Sequence, residues 1–177
     1  MKRVLALVAG IVVSSSVLAC NAEMGMGSFD TGRHGALVMA AVIGEARRDG
    51  VIERVDTDDA QALAKTRAQL WKMKLGQYQG EKPQFFFYQA LENHWTDIRD
   101  FAGSTQISLH RPPTETMEDG VVMMSHGDVA DALLNGKLTL EQAEQKGLVV
   151  FSGPEDQIEK IRQWIDKSIK TKGIFGL

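Results

Sequence analysis

Hydrophobic and polar positions along this chain predict helices first and a small sheet afterwards. Residues 36–48 are rich in Ala, Val, Met and Ile and end in basic residues before Gly50, which indicates a largely buried helix. The aspartates before Ala60 offer capping oxygens for a second helix, whose apolar positions up to Leu75 recur near 3.6-residue spacing. We expect Arg67 and three lysines to occupy the solvated side of this second helix.

The middle of the chain contains segments typical of strands. Residues 84–91 form an aromatic run that favours a strand buried on both faces, and residues 104–110 alternate as a strand. An Asp-Gly turn then precedes an apolar segment at 121–125. Residues 92–102 fit either a helix or a loop followed by a strand, and the pattern leaves both open.

The last third carries clear local signals. Residues 128–134 predict a short helix, Thr139 and Gln142 form a capping box that opens another, and residues 148–151 predict a buried strand. A final helix starts after Gly153. Its predicted core stripe consists of five residues: Ile158, Ile161, Trp164, Ile165 and Ile169. The predicted fold is α+β, with a helical N-terminal half and a small, mostly antiparallel sheet packed with helices.

Composition narrows the class of protein. The chain has 177 residues, of which 44% are hydrophobic, and this apolar fraction is enough for a core in one domain. A single cysteine excludes an intramolecular disulfide, a Cys-rich zinc site and a CxxC redox pair.

The first residues have the pattern of an export signal. Two basic residues precede about ten apolar ones and then a small-residue zone, and the apolar run is shorter than the ~20 residues that a spanning helix needs. The string Val17-Leu18-Ala19-Cys20 resembles the lipobox of bacterial lipoproteins. That resemblance implies cleavage before Cys20 and acylation of its sulfur and amine, so that Cys20 holds the protein to the lipid bilayer. The alternative is an ordinary secreted protein that is cut after Ala22.

The resemblance also predicts where the protein resides and how it is organised. Asn21 at the position after the cysteine implies sorting to the outer membrane, facing the periplasm. We expect a signal peptide at 1–19, a lipidated flexible tether at 20–35 and a single globular domain at 36–177. Removal of the signal leaves 158 residues and takes away two basic side chains, so the formal charge changes from −3 to −5. This acidic balance makes nucleic acid an unsuitable partner.

No recognised catalytic motif is present, and we expect neither a metal site nor a cofactor. One pair of polar residues could serve acid–base chemistry: on a helix, His94 and Asp97 would be neighbours, so that the carboxylate could orient the imidazole. The favoured alternative is a solvated face around buried Trp95 and Ile98.

Residues 120–165 suggest a family. A strand, a helix that ends in the string "LL-x-G-K-L" at 133–138, a glycine, a second strand and a helix follow one another. This order resembles the C-terminal half of sterol-carrier-protein-type lipid-binding domains. The resemblance implies an apolar tunnel for an acyl chain, isoprenoid or sterol-like ligand. Four residues are candidates for its lining, with ordinary core positions as the alternative: Phe85, Phe87, Met123 and Ile161.

Three functions follow from these features. The first is a membrane-anchored, non-catalytic module that binds a hydrophobic ligand. The second is an accessory or scaffolding lipoprotein that positions a partner in an envelope complex. The third is a periplasmic enzyme that uses His94 and Asp97.

Overall fold

The computed structural model describes residues 35–56, 58–114 and 119–170. These residues form five helices and one five-stranded sheet, which confirms the α+β class. The helices are α1 (Ala36–Arg48), α2 (Ala60–Gly76), α3 (Gly127–Leu134), α4 (Leu140–Gln145) and α5 (Glu155–Lys170). The strands are β1 (Phe85–Gln89), β2 (His94–Phe101), β3 (Ser104–Leu109), β4 (Val121–Ser125) and β5 (Val150–Ser152). The predicted signal, Cys20 and the tether up to residue 34 lie outside the described residues.

The sheet is mostly antiparallel, as predicted, and its strand order is β3-β2-β1-β4-β5. Three neighbouring pairs are antiparallel, whereas β1 and β4 run parallel, with Phe85 opposite Val121 and Gln89 opposite Ser125. The segment that the sequence left open is a turn followed by β2, which begins at His94. Asn93 has a φ of 48°, a left-handed conformation that asparagine tolerates well, and this allows the turn between β1 and β2.

Both faces of the central strand are buried. Since side chains alternate along a strand, Phe85, Phe87 and Gln89 share one face, which we call the α2 face. Phe86 and Tyr88 point to the opposite face and are also buried, which confirms the prediction for this aromatic run. The residues of the other strands that the register places on the α2 face include Thr96, Ile98, Ile107, Leu109 and Met123.

Helices α2 and α5 meet over the α2 face. The Trp164 ring of α5 stands edge-on to Phe85, with 5.7 Å between ring centroids, and its indole Nε1 donates a hydrogen bond to the Leu75 carbonyl at 2.9 Å. In α2, the buried residues are Trp71 and Leu75, both in the C-terminal half. The C-terminal half of α2 is therefore anchored in the core, while the turns before Arg67 are only partly covered.

Helix α1 is not largely buried, so that prediction was wrong. Leu37 and Val38 are 74% and 68% exposed, whereas Met39 and Ile43 are buried. Residues 36–44 of α1 are all apolar or glycine, but neighbouring elements cover only one side of the helix. Among the described residues, no helix combines the length and the apolar character needed to cross a bilayer.

The prediction of a buried strand at 148–151 is also wrong in its bounds, because β5 spans Val150–Ser152. The strand β5 has three residues and pairs only with β4, so it forms an edge of the sheet. Val150 is 42% exposed, while Leu148 and Val149 are buried before the strand begins. The apolar run at this place marks buried loop residues as well as a strand.

Candidate functional site

A small cavity lies between α2 and the α2 face of the sheet, with a volume of about 40 Å³. Three of its fourteen lining residues have polar side chains, and the others are apolar or glycine. The lining consists of Ala64, Arg67, Ala68, Trp71, Phe85, Phe87, Gln89, Thr96, Ile98, Ile107, Leu109, Met123, Gly127 and Ala130. A volume of this size holds a few waters or a short alkyl segment.

The wall of the cavity changes in polarity along the strands. At one end, Phe85 lies beside Ile98, and both side chains are apolar. At the other end, Gln89 lies beside His94 and is followed along the sheet by Ser125. The cavity therefore has an apolar end at the beginning of β1 and a polar end where β1 ends.

Three of the four lining residues expected from the sequence lie together in this cavity. Phe85, Phe87 and Met123 contribute to its wall, whereas Ile161 is fully buried in α5 and does not line it. The contribution of α2 to the cavity wall was not predicted. Ala64 and Ala68 are one helical turn apart, and this spacing of small residues on one face was the available signal.

Arg67 was expected on the solvated side of α2, and this prediction is wrong. Its guanidinium group turns inwards, and Nε donates to both carboxylate oxygens of Asp131 at 3.0 Å. Its Nη2 donates to Asp131 at 2.6 Å and to buried Asp128 at 3.2 Å. The two carboxylates compensate the charge that would otherwise oppose burial of the guanidinium group.

Helix α3 has no side chain in the path of Arg67 because its first residue is glycine. A methyl group at Gly127 would collide with Nη1 of Arg67 and would lie 3.2 Å from Oε1 of Gln89. Gly127 therefore allows the guanidinium group to lie across the start of α3 and beside the polar end of the cavity.

A second polar cluster supports α3 from the other side. Arg47 of α1 donates to Asp128 through Nε at 3.0 Å, and Nδ1 of His126 accepts the backbone N–H of Asp128 at 3.0 Å. The other ring nitrogen, Nε2, carries the hydrogen and lies 2.8 Å from the Glu92 carboxylate. Burial acts to raise the pKa of Glu92, but the hydrogen bond and charge of His126, with a further contribution from Arg67, hold it below its ordinary value.

The hypothesis of a His94–Asp97 pair on a helix is wrong, because both residues belong to β2. Residues three apart on a strand point to opposite faces of the sheet. His94 lies in contact with Gln89 at 2.8 Å through Nδ1, and its Nε2 accepts the backbone N–H of His110 at 3.2 Å. Asp97, on the other face, accepts a hydrogen bond from Gln84 at 2.8 Å.

The environment of His94 is that of a neutral buried ring. Burial is the main cause that lowers its pKa to about 4, and the charge of the neighbouring His110 lowers it further. The two imidazole rings lie 4.3 Å apart between centroids. Such a ring is a weak base near neutral pH, and it has no carboxylate partner on its own strand face.

The sequence matches no protein-family model and no curated protein. Solved structures similar to part of the chain include a sterol carrier protein 2-like domain. Sterol carrier protein 2-like 2 from Aedes aegypti is 15% identical with a TM-score of 0.44, over 59% of this chain and 98% of that chain. The sec-alkylsulfatase Pisa1 from Pseudomonas sp. is 13% identical with a TM-score of 0.39, over 48% of this chain. The matched region spans only 13% of the length of that enzyme.

Proposed function

We propose that this protein is a membrane-anchored lipoprotein whose domain binds a small hydrophobic ligand in the cavity under α2. The observation that carries the proposal is the cavity wall, in which apolar side chains of six elements converge and only three side chains are polar. Ligand sites in proteins have this composition, an apolar lining with a small number of polar groups that fix orientation.

A ligand longer than a short alkyl segment requires more space than about 40 Å³. The first turns of α2, before Arg67, contain no buried side chain and are the part of the cover that can move outwards. Trp71 and Leu75 keep the other end of α2 in the core. Ligand entry through the N-terminal half of α2 therefore leaves the main core contacts intact.

The anchor and the location are proposed from the sequence. The lipobox-like string ending in Cys20, together with Asn21, supports attachment to the outer membrane on its periplasmic side. Two or more acyl chains are sufficient for stable attachment, because each buried CH₂ contributes ~0.8 kcal/mol. In this setting the domain holds or transfers its ligand beside a lipid surface.

The ligand proposal is tested by extraction of apolar compounds from natively purified protein, followed by mass spectrometry. We expect one chemical class of hydrophobic compound to be enriched with the wild-type chain. Ala68→Leu should abolish the enrichment, because Ala68 faces the cavity and the added carbons fill it. Ala62→Leu is the matched control, since Ala62 is exposed on the same helix. Protein purified without any enriched apolar compound would contradict the proposal.

The anchor is tested separately. Cys20→Ser should release the protein from membranes, while the wild-type protein should resist a carbonate or high-salt wash. Retention of the Cys20→Ser protein on washed membranes would overturn the lipoprotein proposal and leave the ligand proposal untouched.

The exposed apolar pair on α1 favours a second candidate function, an accessory lipoprotein of an envelope complex. Leu37 and Val38 are adjacent and both mainly solvent-exposed, and such residues can contact a protein partner. A photo-cross-linking residue at Leu37 should then trap one dominant protein in cells. The same residue at exposed Gln69 of α2 is the control, and equal labelling from both positions would count against this function.

A further inference from the structure

Positive charge is concentrated on helix α2. Its 17 residues include four basic side chains and no acidic one, whereas each of the other described helices carries at least one carboxylate. The chain as a whole has a formal charge of −3, so α2 runs against the overall balance. Arg67 turns inwards, but Lys65 and Lys72 are exposed. These two lysines lie on the same side of the helix, because seven residues make about two turns.

The exposed lysines of α2 are not neutralised by neighbouring carboxylates. In the part of the chain that the structure describes, neither Lys65 nor Lys72 forms an ion pair. The acids nearest in sequence lie beyond the two ends of the helix: Asp58, Asp59 and Glu81. Three lysines of other segments do pair with carboxylates, at 2.7–2.9 Å: Lys137 with Glu53, Lys160 with Glu81 and Lys170 with Asp166. The positive charge on the outer side of α2 is therefore available to an anionic partner.

Exposed apolar side chains lie beside these lysines. Leu70 and Met73 are three residues apart on α2 and are 41% and 59% exposed. The β2–β3 tip, residues 101–104, adds Phe101, which is 67% exposed. This tip is near the C-terminal end of α2, because a methyl group on Gly76 would lie 4.0 Å from the hydroxyl oxygen of Thr105. The outer side of α2 and the adjoining tip thus combine basic and large apolar side chains.

We propose that the outer side of α2 and the β2–β3 tip dock onto an anionic lipid bilayer. Helices that lie in the membrane interface combine lysines with apolar side chains in this way. Lys65 and Lys72 contact the lipid phosphates, while Met73 and Phe101 enter the head-group layer. Each lysine beside an anionic surface contributes about fivefold in affinity. The inference goes beyond the proposed function and requires neither the acyl anchor nor a bound ligand.

The docked orientation follows from the charge of the rest of the protein. The overall acidic balance opposes contact through other sides, so the basic helix is the part that approaches an anionic surface. Helix α2 also covers the cavity described above. Docking through its outer side therefore places the cover of the cavity directly against lipid.

The test follows the surroundings of one position on α2. In the full chain with Cys20→Ser, an added cysteine is the only thiol, so Met73→Cys can carry an environment-sensitive fluorophore. We expect a blue shift with vesicles of phosphatidylcholine and phosphatidylglycerol in equal parts, and none with phosphatidylcholine alone. Val150→Cys is the matched control, because Val150 is an exposed apolar residue at the opposite edge of the sheet from β3. Its fluorophore should not shift, even where the N-terminal apolar segment holds the chain to the vesicle.

A charge substitution tests the lysines. The double variant Lys65→Gln, Lys72→Gln should weaken the vesicle binding reported by the Met73→Cys fluorophore by about 20-fold, as two lysines at about fivefold each imply. The double variant Lys137→Gln, Lys160→Gln is the control. It removes the same charge from lysines that already pair with glutamates, and it should change the binding little.

Four results would overturn the inference. They are equal shifts at Met73→Cys and Val150→Cys, equal weakening by the two double variants, an equal shift with phosphatidylcholine alone, and no shift with either vesicle. A shift that appears without vesicles and grows with protein concentration would instead identify a second copy of the chain on this surface and overturn it as well. The extraction and membrane-release experiments decide the proposed function separately.

Discussion

Replacement of Gly127 by alanine should destabilise the protein, although alanine is normally the better helix residue. The added methyl group would collide with Nη1 of Arg67 and would lie 2.8 Å from its Cζ. The guanidinium group would have to move, and it cannot move without weakening its hydrogen bonds to Asp131 and Asp128. The cost of the substitution is therefore the cost of displacing a partly buried charged group.

The magnitude follows from these contacts. Hydrogen bonds to charged groups contribute about 1.5–3 kcal/mol when buried, and the side chains of Arg67 and Asp131 are 15% and 19% exposed, which reduces this somewhat. Alanine in place of glycine in a helix recovers roughly 0.5–1 kcal/mol. We expect Gly127→Ala to lower the free energy of unfolding by about 1–2 kcal/mol.

The assay is urea unfolding followed by tryptophan fluorescence, with Gly44→Ala as the matched control. Gly44 lies inside α1, and a methyl group there would meet its nearest neighbouring atom at an ordinary 3.7 Å. Gly44→Ala should therefore raise the unfolding midpoint, and Gly127→Ala should lower it. In an Arg67→Ala background the Gly127→Ala penalty should disappear, because the obstructing group is gone. If Gly127→Ala stabilises the protein as Gly44→Ala does, Arg67 does not lie across α3 as described.

Two further predictions concern the core. His94 has a pKa of about 4 in the folded protein, below its ordinary value of 6.5, so the unfolded state binds the proton more tightly. The free energy of unfolding should therefore fall as the pH decreases from 6.5 towards 4. We expect a loss of about 2 kcal/mol after allowance for screening. Urea titrations in that window should show the slope, and it should be much flatter in His94→Asn. Trp164→Phe should cost about 0.5–1.5 kcal/mol in chemical unfolding, because it removes the hydrogen bond from the buried Trp164 indole to the Leu75 carbonyl. Trp71→Phe should cost clearly less, since the Trp71 indole N–H has no partner among the described residues, and equal costs would contradict the contrast.

Most of the secondary structure could be predicted because its signals are local. The capping box of Thr139 and Gln142 is present at the start of α4, and the stripe of α5 from Ile158 to Ile165 is buried as its spacing indicated. Residues 92–102 could not be assigned, because Trp95 and Ile98 fit helical spacing as well as a loop and strand. This segment is a strand because its backbone pairs with Gln89 of β1 on one side and Leu109 of β3 on the other. The local pattern of residues 92–102 contains neither partner.

The candidate site was predicted only where aromatic and aliphatic residues gave a signal. Phe85, Phe87 and Met123 were named, together with Ile161, because the family resemblance implied an apolar tunnel and these residues lie in apolar segments. Arg67 was placed in solvent because its helix carries three lysines, and charge on a helix is usually solvated. Its actual position depends on Asp131, which lies 64 residues later in the chain. No local pattern contains that pairing, so a single sequence could not have revealed it.

One local signal at the polar end was nevertheless available. The short helix α3 was predicted to begin at Asp128, one residue after Gly127. The structure places Gly127 inside α3, and no left-handed backbone conformation requires a glycine there. A glycine in a helix without such a requirement costs roughly 0.5–1 kcal/mol relative to alanine, and close approach of another group is the usual reason to keep it. The group here is Arg67, and its path across Gly127 brings the guanidinium group close to Gln89 at the polar end of an otherwise apolar cavity.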